Sequence, residues 1–210
     1  MSLEVKQSDV FNVIAERHAV KEYQPGLTLP KEHLEQILQA GADAPSSWNL
    51  QHWKFLVIED QAYKDKLLPI AYGQKQIAES SVTIAVLGDL EANRNVEAVF
   101  GPAVAGGFLK QEVKDALASQ IEGAYQYPQV ARDEAIRNGS LASMNIMLAA
   151  KALGYDTCPM GGFDSARFVQ EFNVPERYVP VMLITVGTAA KPARGSGRLP
   201  LDQLTVSNTF

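Results

Sequence analysis

Residues 132–162 read RDEAIRNGSLASMNIMLAAKALGYDTCPMGG and contain the longest helical pattern of the chain and the turn that follows it. Ala, Leu and Met occur on all sides of the pattern from Arg132 to Leu153, which predicts a buried helix at the centre of the fold. Gly154 is placed to end that helix as a residue of positive φ. Residues 155–158 are predicted to be short and extended, and they lead into the glycine-containing turn 159–162.

Outward from this stretch, apolar runs predict strands and amphipathic patterns predict helices. The strands are expected at 53–58, 82–87 and 179–186, and the last has the strongest signal. Further helices are expected from a cap at Ser8-Asp9, from Pro30 to a stop at Pro45, at 61–68 before Pro69, at 110–121, and from a cap at Asp164 to about Asn173. The tail, residues 199–210, is apolar at Leu201, Leu204, Val206 and Phe210, so it is expected to dock on its own body or on a partner chain.

Composition limits the class of protein. The 210 residues, 46% hydrophobic and 20% charged, suit one large α/β domain or at most two small ones. A net charge of −5 argues against nucleic acid as the main partner, although a local basic pocket for one phosphate is compatible with it. The only cysteine is Cys158, and residues 1–16 lack the apolar core of a secretory signal, so we predict a cytoplasmic protein without a membrane span.

Several familiar catalytic motifs are missing from the sequence. Residues 101–106 have the glycine spacing of a P-loop, but Gly107-Phe108 replaces the required Lys and Ser/Thr, so this stretch is interpreted as a loop. The three histidines have no cysteine or carboxylate at metal-ligand spacing, so no metal is expected. Cys158 has no evident base and is interpreted as a buried thiol. If the protein is an enzyme, a bound cofactor must therefore carry the chemistry.

Four segments contain groups suited to such a cofactor. Residues 17–21 (RHAVK) form a compact anion receptor, or a solvated basic turn. Residues 44–53 (APSSWNLQHW) place hydroxyls and amides in a turn, where they bind a polar heterocycle or satisfy only the turn. Residues 158–163 (CPMGGF) allow close backbone approach to a flat ligand, or merely connect two helices. Residues 194–200 (RGSGRLP) form a second basic loop, which is otherwise simply exposed.

Together, in this order and at these separations, the four segments resemble the nitroreductase family of FMN-dependent oxidoreductases. The family's Arg-x-Ser-x-Arg/Lys signature corresponds to residues 17–21, and its Pro-Ser-Ser-x-Asn-x-Gln-x-Trp box to residues 45–53. The Pro-x-Gly-Gly-like turn corresponds to 159–162, and the closing Arg-Leu-Pro to 198–200. The resemblance covers nearly the whole chain.

The resemblance implies a set of cofactor-binding residues and no catalytic side chain. The set comprises Arg17, His18, Ala19, Lys21, Pro45, Ser46, Ser47, Asn49, Gln74, Gln76, Pro159, Met160, Gly161, Gly162 and Arg198. Arg17, His18 and Arg198 would hold the FMN phosphate, with Ala19 contributing its backbone. Lys21 would stabilise negative charge at the pyrimidine edge of the flavin, and the N–H of Gly161 would face N5. The box at 45–49 would contact the flavin of the neighbouring subunit.

The resemblance also implies an architecture and a reaction. We expect a single α+β domain over residues 1–210, with an α/β/α layering, a mixed but mainly antiparallel sheet of four or five strands, and a helical insertion around 91–127. We expect a homodimer whose C-terminal tails are exchanged. The implied activity is ping-pong transfer of hydride from NAD(P)H through FMN to a small electron-poor acceptor such as a nitroaromatic or quinone. Phe100, Phe108, Tyr125 and Tyr127 would line the acceptor pocket, or would only pack the insertion.

Two positions depart from the family pattern. Ala19 replaces the usual hydroxyl residue, which removes one phosphate hydrogen bond worth about 1 kcal/mol. Gly73 stands where relatives often carry Asn, and Gln74 or Gln76 is a possible substitute. These departures leave open an alternative function, a flavin-binding storage or sensor protein with little turnover. A plain α/β interaction domain without flavin is a third possibility.

Overall fold

A four-stranded antiparallel sheet lies at the centre of the fold. The computed structural model describes residues 10–210, so the predicted cap at Ser8-Asp9 lies outside the described residues. The strands are β1 Trp53–Ile58, β2 Val82–Asp89, β3 Asp156–Met160 and β4 Tyr178–Gly187. Their order across the sheet is β1-β2-β4-β3, and each neighbouring pair is antiparallel. The parallel component of the predicted mixed sheet is one isolated bridge between Ala19 and Thr157.

Eight α-helices surround this sheet in the described part of the chain. They are α1 Val10–Glu16, α2 Lys31–Ala42, α3 Gln61–Ile70, α4 Gln76–Glu79, α5 Val96–Ala105, α6 Gln111–Tyr125, α7 Pro128–Ala152 and α8 Ser165–Glu171. Short 3₁₀ turns occur at Ser47–Asn49, Ala92–Asn95 and Leu201–Gln203. No helix within residues 10–210 is both long and apolar enough to cross a membrane.

Successive side chains of the central strands enter two different cores, because side chains alternate across a sheet. Ala85, Leu87 and Leu183 pack on one face against α3 and α8. Ile84 and Ile184 pack on the other face against α2 and α7. All eight residues of β2 are buried, as expected for a strand covered on both faces. The result is the predicted helix–sheet–helix layering.

Helix α7 lies so close to β2 that one position of the strand has no room for a side chain. A Cβ built on Gly88 would lie 2.7 Å from the carbonyl oxygen of Ala135. The sequence predicted α7 to be buried all round, but only one face is, because Leu141 and Met144 are 43% and 37% exposed. Gly154 has a φ of +84° and ends the helix as predicted.

Two predictions at prolines were wrong. Helix α3 continues through Pro69 to Ile70, since a proline in the last turn removes only one helical hydrogen bond. Residues 101–105, interpreted as a loop, belong to α5, which contains Pro102. That helix includes no fully buried residue, so little apolar periodicity marked it in the sequence.

Candidate active site

The predicted anion receptor lies along the outer edge of β3. The backbone N–H of Val20 donates to the carbonyl of Thr157 at 3.0 Å, which sets residues 17–21 beside that strand. Arg17 and His18 are half-buried and Lys21 is exposed. Arg17 is held at the end of α1 by its N–H, which donates to the carbonyl of Val13 at 3.0 Å, and the residues after it are held by pairing with β3.

Tyr23 anchors this segment to the sheet. Its side chain is 2% exposed, and its hydroxyl lies 3.0 Å from Oγ1 of Thr185. Two further backbone bonds, from Gln24 N to Thr188 O at 2.9 Å and from Ala190 N to Glu22 O at 2.9 Å, tie the segment to the chain after β4. Segment 17–24 therefore joins two distant parts of the sequence.

These two parts of the chain form the walls of one cleft of about 680 Å³. The lining residues are Ala19, Lys21, Glu22, Lys191, Pro192, Ala193, Arg194, Gly195 and Ser196. Arg17 and Arg198 each lie two residues from a lining residue, so each is within about 7 Å of the cleft wall along the chain. Arg198 bonds within its own loop, at 2.8 Å from its Nη1 to Oγ of Ser196. The structure thus brings the two predicted basic segments to the same cleft.

The end of β3 presents open backbone beside the same segment. A Cβ built on Gly161 or Gly162 would meet no heavy atom within 4 Å, and both glycines are exposed. Within residues 10–210 neither of their N–H groups donates a backbone hydrogen bond. Burial raises the pKa of the neighbouring Cys158 thiol, while the charges of Lys21 and Arg17 act in the opposite direction. Both cations therefore lie close enough to β3 to influence its side chains.

Gln74 and Gln76 support this turn. The side-chain amide of Gln74 donates to the carbonyl of Gly162 at 2.8 Å. The amide of Gln76 is buried and donates to Sδ of Met160 at 3.3 Å. Gly73 has a φ of +71° and faces open space. The two glutamine amides thus hold the glycine turn from the side of the α3–α4 connection.

The hydroxyl-rich box, residues 45–49, has an unusual backbone. Trp48, Asn49 and Gln51 have φ values of 51°, 56° and 53°, in the left-handed region that costs an ordinary residue about 1–2 kcal/mol. Such strain persists only where the surroundings enforce it. Inside the turn, the N–H of Gln51 donates to Oγ of Ser46 at 2.9 Å.

Helix α7 holds the box from one side. The N–H of Ser47 donates to Oδ1 of Asn138 at 2.9 Å, and its hydroxyl donates to Oε2 of Glu134 at 2.5 Å. Asn138 is 1% exposed and also donates to that carboxylate at 2.9 Å. Sequence reasoning missed this pair. Two polar residues four apart, on one face of a predicted helix, were the available signal.

An ion pair with a buried carboxylate holds the other end of the box. Nδ2 of Asn95 donates to the carbonyl of Leu50 at 2.9 Å, and Oδ1 of Asn95 accepts from Arg177 at 3.1 Å. Arg177 in turn forms two bonds with Asp89, at 2.7 and 2.6 Å, and Asp89 is 2% exposed. The pair raises the pKa of Arg177 above its usual value.

His52 lies under the box and is completely buried. Neither ring nitrogen, nor the hydroxyl of Tyr125 on which the ring stacks, has a hydrogen-bond partner within the described chain. Burial lowers the pKa of His52 below its usual 6.5, although Glu134 and Asp89 act in the opposite direction. His52 is therefore uncharged at neutral pH and acts as a packing residue.

The two sets of predicted site residues lie at opposite edges of the sheet. The box precedes β1 and the glycine turn follows β3, and these are the two edge strands. They are three strand spacings apart, about 14 Å at about 4.8 Å per strand. One chain therefore brings together residues 17–21, 74–76 and 159–162, and it leaves residues 45–49 separate.

Comparison with known proteins identifies the family to which this fold belongs. The sequence model of the nitroreductase family matches residues 14–188. The chain belongs to the nitroreductase family. A Bacillus subtilis (strain 168) protein named "Putative NAD(P)H nitroreductase YodC" is 50% identical over 197 residues, which are 94% of this chain and 98% of that protein.

Two solved structures have the same fold. A "putative NAD(P)H:FMN oxidoreductase" of Staphylococcus epidermidis is 31% identical with a TM-score of 0.90, over 97% of this chain and 98% of that one. A "putative nitroreductase in complex with FMN" of Exiguobacterium sibiricum is 36% identical with a TM-score of 0.88, over 95% and 97%. These findings confirm the predicted family, the layered α+β fold and the prediction of an enzyme of the nitroreductase type. FMN, the predicted cofactor, is the ligand named for the Exiguobacterium protein.

Proposed function

We propose that this nitroreductase-family protein binds FMN non-covalently between two subunits and transfers hydride from NAD(P)H to a small electron-poor acceptor. The observation that carries the proposal is the meeting of residues 17–21 and the loop 191–196 around one cleft, beside the strand β3 that leads into the open turn at Gly161. The function follows from that cleft and from family membership. NAD(P)H is a cytoplasmic reductant, so we also propose a cytoplasmic location.

The residues of the cleft fit FMN. A phosphate needs clustered cations and N–H donors, which Arg17, His18 and Arg198 would supply together with the backbone of Ala19. A flat ring system needs backbone without side chains above it, and the open space over Gly161 and Gly162 meets that need. Pro159 and Met160 would border the ring, and Gln74 and Gln76 would hold the turn that faces it.

When bound, FMN supplies the hydride chemistry. Lys21 would present a fixed positive charge where the cofactor becomes negative, which is electrostatic stabilisation without proton transfer. The N–H of Gly161 would orient the reactive edge of the ring. One exposed face would serve both NAD(P)H and the acceptor in turn, so a ping-pong cycle and broad acceptor specificity are expected.

The box at the opposite edge supports a homodimer. Pro45, Ser46, Ser47 and Asn49 are too far from the glycine turn of their own chain to share one ring system with it, so they would complete the site of a partner. Two exposed apolar groups suit that partner: the face of α7 with Leu141 and Met144, and the tail. In the tail Leu201, Leu204 and Val206 are 73%, 60% and 55% exposed, as expected of a segment exchanged between subunits.

The helices of residues 96–125 would cover the acceptor side. Phe100 and Tyr125 pack against Leu50 in a small core of their own. Phe108 and Tyr127 are 89% and 65% exposed. We therefore propose that Phe108 and Tyr127 contact the acceptor, such as a nitroaromatic or quinone, and that Phe100 and Tyr125 hold the helices together.

The first experiment is the visible spectrum of the purified protein, followed by stopped-flow reduction. We expect the absorbance bands of oxidised flavin, bleaching by NADH or NADPH, and parallel-line initial-rate patterns with a panel of nitroaromatics and quinones. A protein that remains colourless after incubation with FMN would contradict the proposal. A yellow protein that millimolar NADH and NADPH fail to bleach would support storage or sensing instead, the alternative suggested by Ala19 and Gly73.

A mixed-dimer experiment tests the shared site. Arg17→Glu and Ser47→Trp homodimers are each expected to lose FMN, since each variant damages both sites. In a mixed dimer of the two variants, one site contains both substitutions and the other contains neither. We expect one FMN per mixed dimer, measured by absorbance after tandem-tag purification. If both residues served the site of their own chain, the mixed dimer would bind none.

A further inference from the structure

Ser47 has only one hydroxyl proton, and its bond to Glu134 determines where that proton goes. The two oxygens are 2.5 Å apart. Burial disfavours the charged form of Glu134, but hydrogen bonds from Ser47, Asn138 and Arg137 outweigh it, so the pKa of this carboxyl lies below its usual 4.5. An ionised carboxylate can only accept hydrogen bonds. Ser47 must therefore be the donor.

The bond to Glu134 leaves Ser47 with no donor for a ligand. Its backbone N–H is already bonded to Oδ1 of Asn138 at 2.9 Å. Since a hydroxyl has one hydrogen and two lone pairs, only lone pairs of Ser47 remain. Any polar group that meets this side chain from outside must bring its own hydrogen.

Ser46 has the opposite arrangement. Its oxygen accepts from the N–H of Gln51 at 2.9 Å, and within residues 10–210 its hydroxyl hydrogen has no acceptor. Ser46 can therefore donate outward, whereas Ser47 can only accept. Two adjacent hydroxyls of opposite polarity suit a ligand that presents an N–H or O–H beside a carbonyl or hydroxyl oxygen. The polar edge and the ribityl chain of a flavin both contain such pairs.

We infer that Glu134 is a positioning residue that makes Ser47 an obligate hydrogen-bond acceptor towards the cofactor, while Ser46 serves as donor. The inference rests on the proposed FMN site at the box. Arg137, which is ion-paired with the other oxygen of Glu134, and Asn138 keep the carboxylate in place. Glu134 thereby acts through Ser47 and need not touch the flavin.

A double-mutant cycle on the holoenzyme tests this role. In Glu134→Gln the side-chain amide can donate to the hydroxyl oxygen of Ser47. The serine proton is then free to point outward, so Ser47 is no longer restricted to accepting hydrogen bonds from the cofactor. We expect the dissociation constant of FMN, measured by the rise of flavin fluorescence on dilution, to increase about tenfold in Glu134→Gln and in Ser47→Ala. The visible circular dichroism of the bound flavin should change in both variants. In the double variant, the effect should be no larger than that of the more affected single variant.

The matched control is Asp133→Asn, the same carboxylate-to-amide change one residue earlier on α7, at an exposed position. It should leave FMN affinity and circular dichroism unchanged. If the effects of Glu134→Gln and Ser47→Ala add in full, Glu134 acts on the fold and the inference fails. If the glutamine variant does not fold, Glu134→Asp in the same cycle serves the same purpose, since it keeps the charge but shortens the reach. A wild-type protein that binds no FMN would instead overturn the proposed function itself.

Discussion

The two halves of the proposed site, at the edges of β3 and β1, are built in different ways. At β3, main-chain pairing holds the segment 17–21, and two glutamine amides hold the glycine turn, above which the space is open. At β1, the box has a strained backbone, and polar side chains from α7 and from the turn Ala92–Asn95 hold it. A substitution in the first half can therefore weaken FMN binding with little change in the stability of the ligand-free protein, whereas damage to the second half should lower both.

The largest effect is expected at the ion pair behind the box. Arg177→Leu leaves the buried carboxylate of Asp89 without its partner, so the free energy of unfolding should fall by about 3–5 kcal/mol. Urea denaturation measures this change. Arg94→Leu is the control, since its pair with Glu91 is exposed and contributes at most about 1 kcal/mol. If both variants lowered the free energy of unfolding equally, the pair of Arg177 with Asp89 would contribute no more than an exposed ion pair does.

At the glycine turn, we expect a smaller effect, which weakens FMN binding and leaves the free energy of unfolding almost unchanged. Gly161→Val places a branched side chain in open space, so unfolding should change by less than about 0.5 kcal/mol. The same side chain would stand where the flavin ring is proposed, and overlap of that kind costs about 1–3 kcal/mol of binding free energy. Isothermal or fluorescence titration measures the FMN affinity of Gly161→Val. The control is Gly123→Val, because a side chain at position 123 also faces open space. Normal FMN affinity in Gly161→Val would argue against a ring at this turn.

The smallest effect concerns pH and His52. Because burial holds the pKa of His52 below 6.5, the unfolded chain binds this proton more readily than the folded one. Stability from this group is therefore complete above about pH 6.5 and is lost as pH falls, by about 1.4 kcal/mol per unit of pKa difference. His52→Leu should remove this part of the pH dependence of Tm between pH 8 and 5. An unchanged profile would mean that His52 does not titrate differently on unfolding.

Much of the fold was predictable because local chemistry agrees with the tertiary structure. Strand β1 occupies the predicted residues, and Asp164 caps α8 by accepting from the N–H of Arg167. A helical insertion around 91–127 was predicted, but residues 101–106 within it were interpreted as a loop, whereas α5 continues to Ala105 without a buried face that would have marked it. The left-handed backbone of Trp48 and Gln51 had no signal either, because neither residue type favours positive φ, whereas Asn49 is of a type that does.

The sequence by itself determined the alternation of strands and helices, the motifs and the family, because these depend on residue type and spacing along the chain. Only the tertiary structure decided which motifs meet. The strand order β1-β2-β4-β3 places the box and the glycine turn at opposite edges of the sheet. The sequence shows only that the box precedes a strand and that the turn follows another. The tertiary structure also brings Glu134 of α7 to Ser47, 87 residues away in the sequence. This contact sets the direction of the hydrogen bond between them. Such directions depend on where buried partners lie, and spacing along a chain does not encode that.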